Sequence, residues 1–209
     1  GSEMCIRDRV CVINSLSAYN LRQVTNSDGL TSSAVLSLLQ DSNGFLWMGT
    51  CDGVNIYDGT KAYSWNGWGQ LNLSGYIIEE ILETHDGVIW VQTNYGLSKV
   101  DKEKRLVVDY PQFKGSYMMV KNELGNLFFF SSSNLLYAFN EKKQEFYRLP
   151  IGTLDREDIV NLYVNEHYLI IFLKNEIIYY QMKHSPEGEY TLSTCLLYTS
   201  PSPRDRTRS

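Results

Sequence analysis

A block with the pattern Gly-x-x-Trp-x-x-Thr-x-x-Gly, closed five residues later by Asp, occurs twice in the same register, 43 residues apart. The first copy is Gly44, Trp47, Thr50, Gly53 and Asp58, and the second is Gly87, Trp90, Thr93, Gly96 and Asp101. The apolar segments ahead of them align too, Val35–Leu39 with Ile78–Leu82. A third copy keeps Gly125 but has Phe128 where the Trp stood. A fourth has lost its glycines and retains only a strand–turn–strand rhythm through Asn161–Val164, Tyr168–Phe172 and Ile177–Tyr180. Repetition at this period means stacked copies of one small unit, since a single unit cannot bury its own apolar face.

Each unit contains four strand candidates separated by turn signals, which in the first are Ala34–Gln40, Phe45–Gly49, Val54–Tyr57 and Lys61–Trp65. Asn43-Gly44, Asp86-Gly87 and Gly125-Asn126 supply residues that tolerate positive φ in a tight hairpin. Four antiparallel strands at a period near 40 are the mark of a propeller blade. A β-helix needs a shorter period, and no helical 3.6 spacing is sustained. The expected fold class is therefore all-β, a partial β-propeller of about four four-stranded antiparallel blades. Trp47 and Trp90 fall on the second strand of their blades, where a large ring can fill the wedge between neighbouring sheets. Such burial is worth several kcal/mol, at about 25 cal/mol per Å². Gly49 is expected where two backbones approach closely.

The two ends differ from the body. Gly1–Asp8 can be back-translated to a DNA segment whose opposite strand encodes Cys195–Ser202, and that segment resembles a sequencing-library transposon adapter. Residues 1–9 and 195–209 are accordingly read as translated adapter and left out of the fold argument. The remaining body carries 14 basic and 21 acidic residues, near −7, and has no basic cluster. That composition argues against nucleic acid or an anionic membrane as partner. It holds no apolar run of about 18 residues, the length a membrane helix needs. Residues 10–18, Val-Cys-Val-Ile-Asn-Ser-Leu-Ser-Ala, are similar to the end of a secretory signal. Of four cysteines, Cys11 and Cys51 lie in the body, with no zinc or disulfide spacing.

The stretch from Asp28-Gly29-Leu30-Thr31 through Gln40-Asp41-Ser42-Asn43-Gly44-Phe45-Leu46-Trp47-Met48-Gly49-Thr50 to Asp58-Gly59 resembles the two-component regulator propeller repeat. The second copy departs from that pattern at Gln92, where Gly is usual, and at Thr84, where Asp is usual. The resemblance covers residues 19–194. It implies a seven-bladed ring, of which this chain holds a closing strand at 19–25 and blades at about 30–68, 73–112, 116–150 and 158–194. It further implies the periplasmic sensor region of a hybrid histidine kinase that responds to glycan-derived oligosaccharides, works as a homodimer, and meets the membrane only through a downstream helix. A four-blade piece with a bare final face is expected to be poorly soluble.

No catalytic residue, metal site or cofactor is expected. His85, His167 and His184 lack metal-ligand spacing and read as solvated turn residues. Asp155-Arg156-Glu157-Asp158 reads as a solvated junction loop, and Asp41, Asp52, Asp58 and Asp101 as turn stabilisers. Trp65 and Trp68, in Trp65-Asn66-Gly67-Trp68-Gly69 between the first two blades, are the ligand candidates, since exposed indole faces suit sugar rings. Two other readings stay open, a propeller enzyme of the lyase or glycosidase kind and a non-catalytic scaffold.

Overall fold

The computed structural model describes residues 23–65, 67–68 and 71–199. The leader-like segment 10–18, residues 19–22 of the closing strand, and the adapter-like residues 1–9 and 200–209 lie outside the described residues. The elements are strands β1 (Val35–Gln40), β2 (Leu46–Thr50), β3 (Gly53–Tyr57), β4 (Ala62–Trp65), β5 (Gly67–Trp68), β6 (Leu71–Asn72), β7 (Ile78–Glu83), β8 (Ile89–Thr93), β9 (Gly96–Asp101) and β10 (Leu106–Tyr110). They continue with β11 (Tyr117–Lys121), β12 (Leu127–Phe130), β13 (Leu136–Asn140), β14 (Glu145–Arg148), β15 (Ile159–Val164), β16 (Tyr168–Leu173), β17 (Glu176–His184) and β18 (Tyr190–Thr199). Short 3₁₀ turns occupy Asn26–Asp28 and Pro111–Phe113.

The strands form four four-stranded sheets in simple order, β1 to β4, β7 to β10, β11 to β14 and β15 to β18, with every neighbouring pair antiparallel. The register of the first strand of each sheet shifts once, between Val35 and Ser37, Ile78 and Glu80, Tyr117 and Val120, and Ile159 and Asn161. A bulge at one place in every sheet adds twist there. The fourth unit, whose sequence signature is weakest, therefore shares the geometry of the first. The backbone of β18 runs past the expected boundary at residue 194, pairing Cys195 with Tyr180 and Thr199 with Glu176.

The tryptophans follow from the stacking. Trp47 is buried with Ile78, Ile81, Ile89, Val91, Val100 and Val107, which belong to blade 2. Trp90 is buried with Phe113, Met119, Leu127, Phe129 and Phe139, from the blade 2–3 connection and blade 3. Phe128 is buried with Leu162, Val164, Leu169, Ile171 and Ile178 of blade 4. The three repeat-equivalent rings thus sit in three successive inter-blade layers. Strands β8 and β12, covered on both faces, are buried at every position; β12 reads as an unbroken apolar run, while β8 ends in the buried polar pair Gln92 and Thr93. Among the described residues, Leu38 on β1 of the first blade is 61% exposed and Val160 on β15 of the last is 57% exposed.

Thr50 and Thr93 hold their turns in the same way. Thr50 Oγ1 donates to Gly53 O at 2.8 Å and accepts from Asp52 N at 3.0 Å. Thr93 Oγ1 donates to Gly96 O and accepts from Tyr95 N, both at 3.2 Å. Gly53 and Gly96 close these turns at φ +86° and +147°, where a side chain is strained. At Gly49 a Cβ would lie 2.3 Å from Ser37 Oγ and 2.6 Å from Ile78 Cγ2, so this glycine lets blade 2 approach. Gln92, which stands at that position in blade 2, instead spans the gap to blade 3 and donates to Ser116 O at 2.8 Å.

Candidate functional site

Among the clefts at the junction of blades 1 and 2, two have aromatic walls. One lies beside the β2–β3 and β8–β9 turns. The segment joining blade 1 to blade 2 is tied there by a hydroxyl knot that repeats with the sequence. Thr31 Oγ1 meets Thr50 Oγ1 at 3.5 Å and Asn55 Oδ1 at 2.7 Å, while Ser74 Oγ meets Thr93 Oγ1 and Ser98 Oγ, each at 3.2 Å. Gly75 passes so close to Thr93 and Asn94 that a Cβ would lie 2.7 Å from Thr93 Oγ1 and 2.5 Å from Asn94 Oδ1. This brings Tyr76 beside Tyr95, with ring centroids 6.4 Å apart and planes at 54°.

The resulting cleft, of about 440 Å³, is lined by Thr31, Asp52, Ser64, Asn72, Ser74, Tyr76 and Tyr95 among others. The two rings are adjacent and are 55% and 44% exposed. The Lys114 ammonium lies over the Tyr95 ring, 4.9 Å from its centroid. Aromatic walls beside hydroxyl, amide and carboxylate groups suit a polyhydroxylated ring, with an apolar face to stack and hydroxyls to bond. Tyr76 and Tyr95 were not among the sequence candidates. The available signal was position 95, where the second copy puts a tyrosine in the turn that holds Asp52 in the first.

The other cleft, about 310 Å³, is lined by Asp41, Asn43, Phe45, Trp47, Ile56, Trp65 and Lys102. Here the structure places Trp65, a sequence candidate, at the end of β4 with its ring 5.3 Å from that of Trp47, edge to face. Trp68 pairs through its backbone with Leu71 in the small β5–β6 hairpin, and its side chain lies outside the described residues.

An ionic knot closes the inner end of this cleft. Lys102 Nζ, on the β9–β10 turn, donates to Asp41 Oδ2 and Glu83 Oε1, both at 2.9 Å. Ser42 donates to Glu83 through both N and Oγ, at 2.7 and 2.8 Å. Asp41 does stabilise its turn, accepting from Asn43 N and Phe45 N, but it also takes the Trp47 indole N–H and the lysine of the next blade. Burial pushes the Asp41 carboxyl up, and hydrogen bonds from Lys102, Trp47 and Phe45 outweigh it and hold the pKa below the usual carboxylate value. Burial likewise works against the Lys102 ammonium, and bonding to Glu83 and Asp41 reverses the sign and raises its pKa.

The histidines lie apart from both clefts. His85 and His167 are at turns, whereas His184 ends β17 and stacks on Tyr190 at 4.5 Å, a packing contact the sequence reading did not foresee. Among the described residues no three His, Cys, Asp or Glu side chains are grouped so as to hold a metal ion. Among the same residues no helix is long and apolar enough to cross a membrane.

Residues 29–52 match the family model described as two component regulator propeller. No curated protein matches the sequence. Among solved structures, the chain is similar to the extracellular domain of a chain assigned to a hybrid two component system of B. thetaiotaomicron, with TM-score 0.64 and 18% identity over 86% of this chain and 30% of that one. A second such domain, assigned to a one component system of the same organism, gives TM-score 0.59 and 16% identity over 78% of this chain and 24% of that one. Virginiamycin B lyase from Staphylococcus aureus gives TM-score 0.54 and 12% identity, over 87% of this chain and 59% of the lyase. At these identities the likeness shows the propeller fold, and the chain spans less than a third of the two extracellular domains.

Proposed function

We propose that this chain is part of the extracytoplasmic, ligand-sensing propeller of a two-component regulator, residing in the periplasm and binding glycan-derived oligosaccharide in the Tyr76–Tyr95 cleft. The family match at residues 29–52 and the extracellular two-component domains of similar fold support the sensing role. The observation that carries the ligand class is the exposed tyrosine pair set among Thr31, Asp52, Ser64, Asn72 and Ser74. A sugar ring would lay its apolar face on Tyr95 and exchange hydrogen bonds with the hydroxyls and the Asp52 carboxylate. The chain binds without transforming its ligand: a lyase shares the fold, but none of the three histidines lines the cleft, and Asp52 is its one carboxylate.

Isothermal titration of the purified chain against a panel of neutral and acidic oligosaccharides tests the reading. At least one should bind, and Tyr95→Ala should weaken it roughly tenfold, the worth of one lost stacking partner, with the melting temperature unchanged. Binding that survives both Tyr95→Ala and Tyr76→Ala would place the ligand elsewhere.

A further inference from the structure

Aspartates at the hairpin turns of the first two blades hold those turns with their carboxylates. Asp41 accepts from Asn43 N and Phe45 N, Asp58 from Thr60 N and Lys61 N, Asp86 from Val88 N, and Asp101 from Lys104 N. Asp52 is the exception. Its turn is closed by Thr50 Oγ1, which takes the Asp52 N–H, and its carbonyl accepts from Thr31 Oγ1 at 2.9 Å. Among the described residues, its exposed carboxylate has no hydrogen-bond or ion-pair partner. Tyr95 N is held by Thr93 in the same way, so the side chains of Asp52 and Tyr95 take no part in closing their turns. Both line the same cleft. Gly53 N donates to Tyr76 O at 2.6 Å, which seats Tyr76 against the Asp52 turn.

We infer that the Tyr76–Tyr95 cleft selects a sugar that carries a protonated amino group, and that Asp52 sets this preference. The inference rests on the assignment of the cleft to a sugar. Asp52 is the one charged residue among the described residues that line it, so the lining carries a net negative charge. A carboxylate without a partner of its own is the acceptor an ammonium group needs, and a charge-assisted bond is stronger than the one a sugar hydroxyl would make there. The aromatic walls act in the same sense, because the face of a ring is its negative part. The Tyr95 ring already makes such a contact with the Lys114 ammonium, and Lys114 itself is not among the residues lining the cleft.

The test titrates glucosamine, galactosamine and mannosamine, each beside the parent sugar with a hydroxyl in place of the amine, into the ¹⁵N-labelled chain. The backbone N–H resonances of Gly53 and Tyr95 report binding. At least one amino sugar should shift both saturably and bind roughly tenfold more tightly than its parent, the combined worth of an exposed ion pair and a cation–π contact. N-acetylation, which removes the charge, should erase that gain, and glucuronate should bind more weakly than glucose. Asp52→Asn should remove the advantage of the amine with the melting temperature unchanged, because the carboxylate holds no part of its turn. Tyr95→Ala should weaken amine and parent alike. Parent sugars that shift the two resonances and bind as tightly as their amines, or glucuronate that binds more tightly than glucose, would overturn the inference and leave the sugar assignment standing. An amine advantage that survives in the folded Asp52→Asn chain would overturn it too. If no sugar shifts either resonance, the inference and the assignment fall together.

Discussion

Trp47 donates its indole N–H to Asp41 Oδ2 at 3.0 Å, and Lys102 of the next blade donates to the same oxygen at 2.9 Å. One carboxylate therefore ties a blade to its own buried ring and to its neighbour. In blade 3 the ring is Phe128, which has no N–H, and the counterpart of Asp41 is Asn122, uncharged and bonded through Nδ2 to Tyr190 OH of blade 4 at 2.8 Å. Blade 2 keeps the indole, as Trp90, but has Thr84 in the place of Asp41, so among these three blades the carboxylate belongs to the first alone.

Asp41→Ala takes the acceptor from the buried Trp47 N–H and leaves the partly buried Lys102 ammonium with Glu83 alone. Urea unfolding should show a loss of about 1–3 kcal/mol, the usual cost of an unsatisfied buried donor. The pH dependence follows from the lowered Asp41 pKa: its contribution is full above the unfolded value of 3.8 and is lost as pH falls through the lower folded value. Wild-type stability should therefore drop below pH 4 more steeply than that of Asp41→Asn.

Gly49→Ala puts a methyl group onto Ser37 Oγ and the Ile78 side chain. Overpacking of this kind costs about 1–3 kcal/mol, and thermal unfolding should register it. The same change at Gly44 meets nothing within 4 Å and carries only the strain of its positive φ, so its cost should be smaller.

At high pH the junction of blades 3 and 4 should weaken. Burial raises the Tyr147 phenol to about 12, and its hydroxyl accepts from Tyr190 N at 2.7 Å. Because the folded pKa lies above the unfolded value near 10, stability is full below pH 10 and falls as pH rises towards 12, by on the order of 1 kcal/mol after allowance for solvent screening. Tyr147→Phe should remove that part of the alkaline slope, measured by urea titrations at pH 9 and 11.

The blades were legible because the repeat marks turns and layers with residues that have one physical use. Thr50 and Gly53 close a turn, and Trp47 fills a wedge, wherever the unit recurs. The clefts were less legible because they arise from departures between copies. Tyr95 matters by standing where the first copy has Asp52, and the cleft beside Trp47 has Ile56 where the second copy has Lys99 over its ring. Such differences carry meaning only once the blades are known to face each other. Trp65 was singled out by its residue type, and the structure sets its ring against Trp47.

The radial stacking of the units is tested most directly by nuclear Overhauser contacts between rings far apart in sequence. Trp90 with Phe139, at 4.8 Å, and Phe128 with Tyr190, at 5.3 Å, each span one blade junction. Both cross-peaks should appear in a ¹³C-edited spectrum of the folded chain. Their absence, with Trp90 and Phe128 giving contacts only inside their own sheets, would contradict the fold and every site built on it.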